Sequence, residues 1–221
     1  MNQKENRVHI KKLCTVAMFC ALAFALTYLK LPVGFLSLEI KDSVIVLCTL
    51  IFGPLAGLSI AILVPLLEMV SHSSTGVYGL IMNVLSSVTF SMVTGLIYKY
   101  KKSFYGAIVG LVSGVCAVTA VMLMANLLVT PYYMGVSVKD VAVLIPKMLL
   151  PFNLIKATLN GAIVLLLYKP LSRMLKRLHL VESRGTTVEG QTKNSGRSLL
   201  VTVIAIVIIA WSFAVIYFVL R

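Results

Sequence analysis

Long stretches without a single charged side chain constrain this chain more than any other feature. No charge falls within residues 13–29, 43–67, 77–98, 103–138 or 198–220, and residues 148–168 hold only Lys156. A run of about 17–25 apolar residues is enough to cross the hydrocarbon core of a bilayer as a helix. Backbone in lipid must satisfy its own hydrogen bonds, and these runs lack the alternation of barrel strands. They therefore read as membrane helices. With 59% hydrophobic and 12% charged residues, and a mean hydropathy of +0.99, the chain has too little polar surface for a soluble domain of 221 residues.

Breakers divide the runs. The first helix is read over 11–30, before Pro32 and Gly34. Residues 43–70 cannot form one straight span, because Gly53, Pro54 and Gly57 sit in the middle. They read as two short helices, 43–53 and 55–70, around a tight turn. Further helices follow over 77–98, 104–129 (ended by Pro131) and 147–168 (stopped before Pro170), with a last one over 199–220. The division expected is a membrane domain over 1–178, a polar cytoplasmic linker over 179–198 and an extra C-terminal transmembrane helix over 199–221. Lys11 and Lys12 before an apolar stretch, with Ala21-Leu22-Ala23, resemble a signal peptide. The run continues to Leu29, long enough to span, so the helix is read as retained.

The net charge of +13 would suggest nucleic acid in a soluble protein. Here the cations mark topology and contacts with anionic lipid head groups. With the N-terminus in the cytoplasm of a cell-membrane protein, the inner segments hold Lys4, Arg7, Lys11, Lys12, Lys99, Lys101, Lys102, Lys169, Arg173, Lys176, Arg177, Arg184, Lys193 and Arg197. Those are fourteen of the 20 basic residues. The outer loops hold only Lys30, Lys41, Lys139 and Lys147.

Polar groups inside a membrane are costly and tend to face a cavity or a partner helix. In this orientation Glu68, Asn83, Asn126, Asn153 and Lys156 all fall near the outer ends of their helices. Glu39 and Asp42 lie in the first outer loop. That common level suggests a ligand pocket open to the outside. Asn153, Lys156 and Asn160 share one helical face. Asn160, deeper in the span, reads as helix-to-helix glue, and Glu68 as an interfacial residue. Gly76 and Gly79 flank the entry to the fourth helix, where glycine permits close backbone approach. On the first helix Ala17, Ala21 and Ala25 recur every four residues, a small-residue ridge suited to close packing by a second membrane helix.

No P-loop, HExxH or GxSxG motif and no His/Cys metal cluster occurs. His9, His72 and His179 read as solvated residues near membrane edges, and Cys14, Cys20, Cys48 and Cys116 as small buried hydrophobes. The chain is not read as an enzyme, and no cofactor is expected. Three readings remain: a transport component, a small intramembrane enzyme acting on lipids, and a scaffold without a ligand. The enzyme would need acidic, basic or metal-binding residues gathered at one face, and the acidic residues are scattered. An uptake protein without its own energy source needs a partner or a gradient.

Several segments together resemble the substrate-binding S component of energy-coupling factor (ECF) vitamin transporters, especially the riboflavin type. They are the alanine ridge, Phe35-Leu36-Ser37-Leu38-Glu39-Ile40-Lys41-Asp42-Ser43, Phe52-Gly53-Pro54 with Gly57, and Ser74-Thr75-Gly76-Val77-Tyr78-Gly79 before Asn83. Asn126 before Pro131-Tyr132-Tyr133, Pro151-Phe152-Asn153-Leu154-Ile155-Lys156 and Leu167-Tyr168-Lys169-Pro170-Leu171-Ser172 complete the set. The family pattern has an aspartate in place of Glu39 and a proline near Val44. The resemblance covers about residues 10–175. It implies an all-α, six-helix membrane bundle, to which the seventh helix is an addition. It also implies a vitamin bound near the outer face, with Asn126, Asn153 and Lys156 bonding a flavin or its ribityl chain. The loop around Leu38 would gate the pocket, and backbone near Gly76 and Gly79 would touch the ligand. Docking through Ala17, Ala21 and Ala25 would join the chain to a transmembrane coupling subunit driven by two ATPases, and toppling in the membrane would release the cargo. Another vitamin or a modified flavin would fit the same scaffold.

Overall fold

The computed structural model describes residues 3–34, 36–73, 75–177, 203, 205–207 and 209–212. They form α1 (Gln3–Leu26), a hairpin of β1 (Leu31–Val33) and β2 (Leu36–Leu38), α2 (Lys41–Phe52), α3 (Pro54–His72), α4 (Gly76–Tyr100), α5 (Phe104–Met134), α6 (Val138–Leu144), a π-helical turn over Ile145–Leu149, and α7 (Leu150–Arg177).

Four stretches are long and apolar enough to cross a membrane by themselves: Pro54–His72, Gly76–Tyr100, Phe104–Met134 and the continuous Val138–Met174. The 12-residue α2 is about 18 Å long, well short of the ~30 Å core. Beyond a first turn that carries Lys41 and Asp42 it is largely apolar, and it is buried over Lys41–Leu50, as a central helix must be. α1, α3, α4 and α7 pack around it, and α5 closes the bundle against α4 and α7. The core gathers on Ile45, Leu47, Ile60, Val64, Phe90 and Val164. Outward-facing Leu55, Val70, Val112 and Leu128 are exposed, as suits a surface bathed in lipid rather than water. The protein is a multi-pass membrane helix bundle.

The turn expected at Gly53 is present. Gly53 has φ +99 and caps α2, while Pro54 opens α3, the position where a missing N–H costs nothing. A Cβ at Gly57 would overlap the Thr49 and Ser91 side chains, so glycine there lets α2, α3 and α4 approach. Those two hydroxyls bond each other at 2.7 Å, and Thr94 Oγ1 donates to the Gly110 carbonyl of α5 at 3.2 Å.

Several expected boundaries move. α1 stops at Leu26 rather than residue 30, and a turn through Thr27 leads into a hairpin pairing Leu31 with Leu38 and Val33 with Leu36. α5 continues through Pro131 to Met134, where Gly135 adopts φ +66 and donates to the Pro131 carbonyl. The last long helix begins at Val138, not 147, behind a capping box of Ser137 and Asp140. Pro146 lies inside it, because a π turn absorbs the lost donor: the Leu150 N–H reaches back to the Ile145 carbonyl. Pro170 likewise lies within α7. His72 is not a solvated edge residue. Its Nε2 lies 3.2 Å from Thr27 Oγ1 and its ring stacks on Tyr28 at 4.1 Å, tying α3 to the end of α1. Cys20 and Cys48 are buried, whereas Cys14 and Cys116 face outward.

Of the expected seventh helix, 199–220, only positions within 203–212 are described, and these are helical. Ala205 is buried, and Ile209 packs on Val33, Leu38, Ile155 and Leu159. The remainder of that helix and the linker 179–198 lie outside the described residues.

Candidate functional site

The polar residues near one end of the bundle meet at a cavity of about 470 Å³, within the range of small-molecule sites. α5 contributes Asn126 and Thr130 to its wall, α7 Asn153 and Lys156, α4 Gly79 and Asn83, α3 Glu68, and the hairpin region Lys30, Ser37 and Glu39. Apolar surface comes from Met82, Met122, Val129 and Phe152, with Tyr78 and Tyr133 beside them. The two tyrosine rings lie 6.0 Å apart and bridge α4 to α5.

Two of the sequence-selected residues do not line the cavity. Leu38 is buried instead in a satellite core with Val33, Ile155 and Leu159, while its neighbours Leu36, Ser37 and Glu39 line the cavity. Gly76 opens α4 at φ +57 with open space around its missing Cβ. It serves the turn, while Gly79, one helical turn on, reaches the cavity wall.

The amides are braced along their own helices. Asn126 Nδ2 donates to the Met122 carbonyl at 2.7 Å, and its Oδ1 accepts from Thr130 at 3.0 Å. Asn153 Nδ2 donates to the Leu149 carbonyl at 2.8 Å. Each keeps capacity for a ligand, since a primary amide offers two donors and two acceptor lone pairs. Asn160, on the same helix, turns to α2. It accepts from the Ser43 N–H at 2.8 Å and donates to the Glu39 carbonyl at 2.9 Å, joining α7 to the second foot of the hairpin.

A buried charge cluster forms another wall, and the sequence did not reveal it. Lys41, fully buried, lies 2.5 Å from Glu39 Oε2 and 2.5 Å from Glu68 Oε2. Lys30 pairs with Glu68 Oε1 and sits 3.6 Å from Glu39 Oε1. Asn83 donates to Glu68 at 3.2 Å and Ser37 to Glu39 at 3.0 Å. Glu68 is thus no interfacial residue but the hub that joins α3 to both feet of the hairpin. Glu39 is buried rather than exposed in a loop, and Asp42 enters the first turn of α2, accepting from Ser87 at 2.5 Å. Burial pushes the Glu39 carboxyl upward, but Lys156, Lys41 and Lys30 outweigh it and hold the group down at about 2. Lys156 itself makes no ion pair within 4.0 Å among the described residues.

Of the missed residues, Thr130 and Tyr133 carried a signal. Asn126, Thr130 and Tyr133 follow i, i+4, i+7 spacing and so share a face. Lys30 and Lys41 carried none, because cations in a loop next to a membrane ordinarily read as topology markers. Among the described residues, no three His, Cys, Asp or Glu side chains gather as a metal site. Ala17, Ala21 and Ala25 all lie on the exposed side of α1, while Thr15, Phe19 and Ala23 face the core.

Comparison with known proteins agrees with this architecture. The chain is 33% identical over 186 residues to the "Riboflavin transporter RibU" of Staphylococcus aureus (strain TCH60), covering 80% of this chain and 98% of that one. It is 27% identical over 187 residues to the "Riboflavin transporter FmnP" of Bacillus subtilis (strain 168), covering 77% and 98%. A solved structure described as "Structure and mechanism of the S component of a bacterial ECF transporter" superposes with a TM-score of 0.66 at 33% identity, over 76% of this chain and 99% of the other. Residues 11–168 match the family "ECF transporter, substrate-specific component", and the chain belongs to that family.

Proposed function

We propose that the chain captures riboflavin on the outer side of the cell membrane and passes it inward through an ATP-driven coupling module. The observation that carries this reading is the convergence of Gly79, Asn83, Asn126, Asn153 and Lys156, from three helices, on one cavity with apolar and aromatic walls. A flavin ring needs flat apolar contact plus a few amide and ammonium partners for its carbonyls and ring nitrogens, and this wall offers both. The likeness to two riboflavin transporters supports the same ligand. Basic residues concentrated at the other end of the bundle support a cytoplasmic N-terminus and an outward-facing pocket. The exposed alanine ridge supports docking of a transmembrane coupling subunit, itself driven by two cytoplasmic ATPases.

The test is a titration of purified, detergent-solubilised protein with riboflavin, read by quenching of flavin fluorescence, with a panel of other vitamins alongside. Saturable one-to-one quenching by riboflavin is expected. Preference for an unrelated vitamin, or indifference to all of them, would sink the reading.

A further inference from the structure

The hairpin takes part in two clusters at once. Pro32, Gly34, Leu36 and Ser37 line the cavity, while Val33 and Leu38 are buried with Ile155 and Leu159 of α7 in the satellite core. Phe152 of α7 belongs to both, lining the cavity and packing against that core. Each strand of the hairpin has only 3 residues, and an isolated two-stranded hairpin is marginally stable at best. How firmly it stays over the cavity therefore depends on what packs against it.

Part of that packing comes from the far end of the chain. Ile209 packs against the satellite core. Ala205 and Ser212 are fully buried, whereas Val203, Ile206, Val207 and Trp211 are exposed. Positions 205, 209 and 212 are spaced by four and by three, which is one face of a helix. The described positions within 203–212 thus have a face seated on the bundle and a face turned to lipid. A helix that only anchored the tail would need no seated face. The family match ends at residue 168, so this contact lies outside the matched part of the chain.

We propose that this C-terminal helix is an intramolecular strap. By packing on the satellite core it holds the hairpin against α7 and slows the opening through which a ligand leaves the cavity. The contact stands on the geometry alone; the choice of riboflavin as the probe rests on the reading above.

The experiment uses the full-length protein in detergent. Ile209→Ala weakens the contact, Ile206→Ala on the lipid side of the same helix is the control, and Ile209→Leu keeps the side-chain volume. Deuterium uptake by the amides of residues 31–38 is measured without ligand, and riboflavin dissociation by stopped-flow fluorescence. Ile209→Ala is expected to speed both by roughly 3- to 30-fold, for the loss of three partly buried carbons. Ile206→Ala should match wild type and Ile209→Leu should lie close to it. Exchange in α4 and α5 should stay unchanged, since a general loss of stability would speed it there too. No change in Ile209→Ala, an equal change in Ile206→Ala, or faster exchange throughout the bundle overturns the strap. Faster hairpin exchange with unchanged dissociation overturns it as well, because the hairpin would then move without releasing ligand. If Ile209→Ala does not fold, Ile209→Val puts the same question with a smaller expected change. A wild-type protein that binds no riboflavin overturns the riboflavin reading, and the exchange measurement alone then decides whether the helix restrains the hairpin.

Discussion

Lys41 is the residue on which the outer end of this protein depends most. It is fully enclosed between Glu39 and Glu68. Removing one partner of a buried ion pair leaves charge stranded, typically at about 3–5 kcal/mol. Lys41→Met is therefore expected to lower the unfolding midpoint in detergent severely, whereas Lys30→Met, at a partly hydrated position, should cost far less. Equal, small shifts for both would show that the buried cluster contributes little. Glu39 adds a pH signature. Its folded-state carboxyl is depressed to about 2 from the usual 4.5, so the unfolded chain takes up the proton first on acidification. Its contribution is fully present above pH 4.5 and is lost as the pH falls toward about 2. Melting temperatures should show this loss in wild type and a shallower acid slope in Glu39→Gln. At this scale the sequence was only partly legible. Asn83, Asn126, Asn153 and Lys156 stood out because amides and ammonium groups are anomalous within apolar runs. Lys30, Glu39 and Lys41 did not, because a loop charge looks the same whether it meets water or opposite charges buried beside it.

Among the elements, charge-free runs and breakers located every long helix of the described residues, and the errors fell where tertiary contacts decide the ends. Pro131, Pro146 and Pro170 each looked like a terminus or lay outside the expected span, yet each sits inside a longer helix or its π turn. A proline forbids one hydrogen bond, but a helix buried against neighbours can tolerate that loss or absorb it in a wider turn. The hairpin over 31–38 was invisible because three-residue strands carry no usable alternation. Gly57 was legible as a breaker, but its role is close packing. An added Cβ meets Thr49 and Ser91, and overpacking costs about 1–3 kcal/mol against at most about 1 kcal/mol gained in helix propensity. Gly57→Ala is expected to destabilise on balance, measurable as a lower thermal midpoint. A raised midpoint would mean that α2 and α4 can separate without penalty.

At the scale of the whole molecule, the cavity and the alanine ridge are separate surfaces of one bundle, and that separation is testable. Asn126 and Asn153 lie on α5 and α7 at the cavity, while Ala17, Ala21 and Ala25 lie on the exposed side of α1. A ligand that binds only the folded state at 100 times its Kd stabilises it by about 2.7 kcal/mol, so riboflavin should raise the melting temperature of wild type. Ala21→Trp places a large side chain where a partner helix would approach within small-residue distance, and nothing in the cavity touches it. It is expected to keep both the affinity and the ligand-induced thermal shift, yet to lose most riboflavin uptake when expressed with its coupling module. Asn126→Leu removes a cavity amide whose hydrogen bonds among the described residues run within α5. It should fold, lose the thermal shift and lose uptake as a consequence. Uptake that survives Ala21→Trp would remove the ridge from the docking interface. Loss of affinity in the same variant would mean that α1 and the cavity are coupled through the bundle, and that capture and delivery are a single conformational event rather than two surfaces acting in turn.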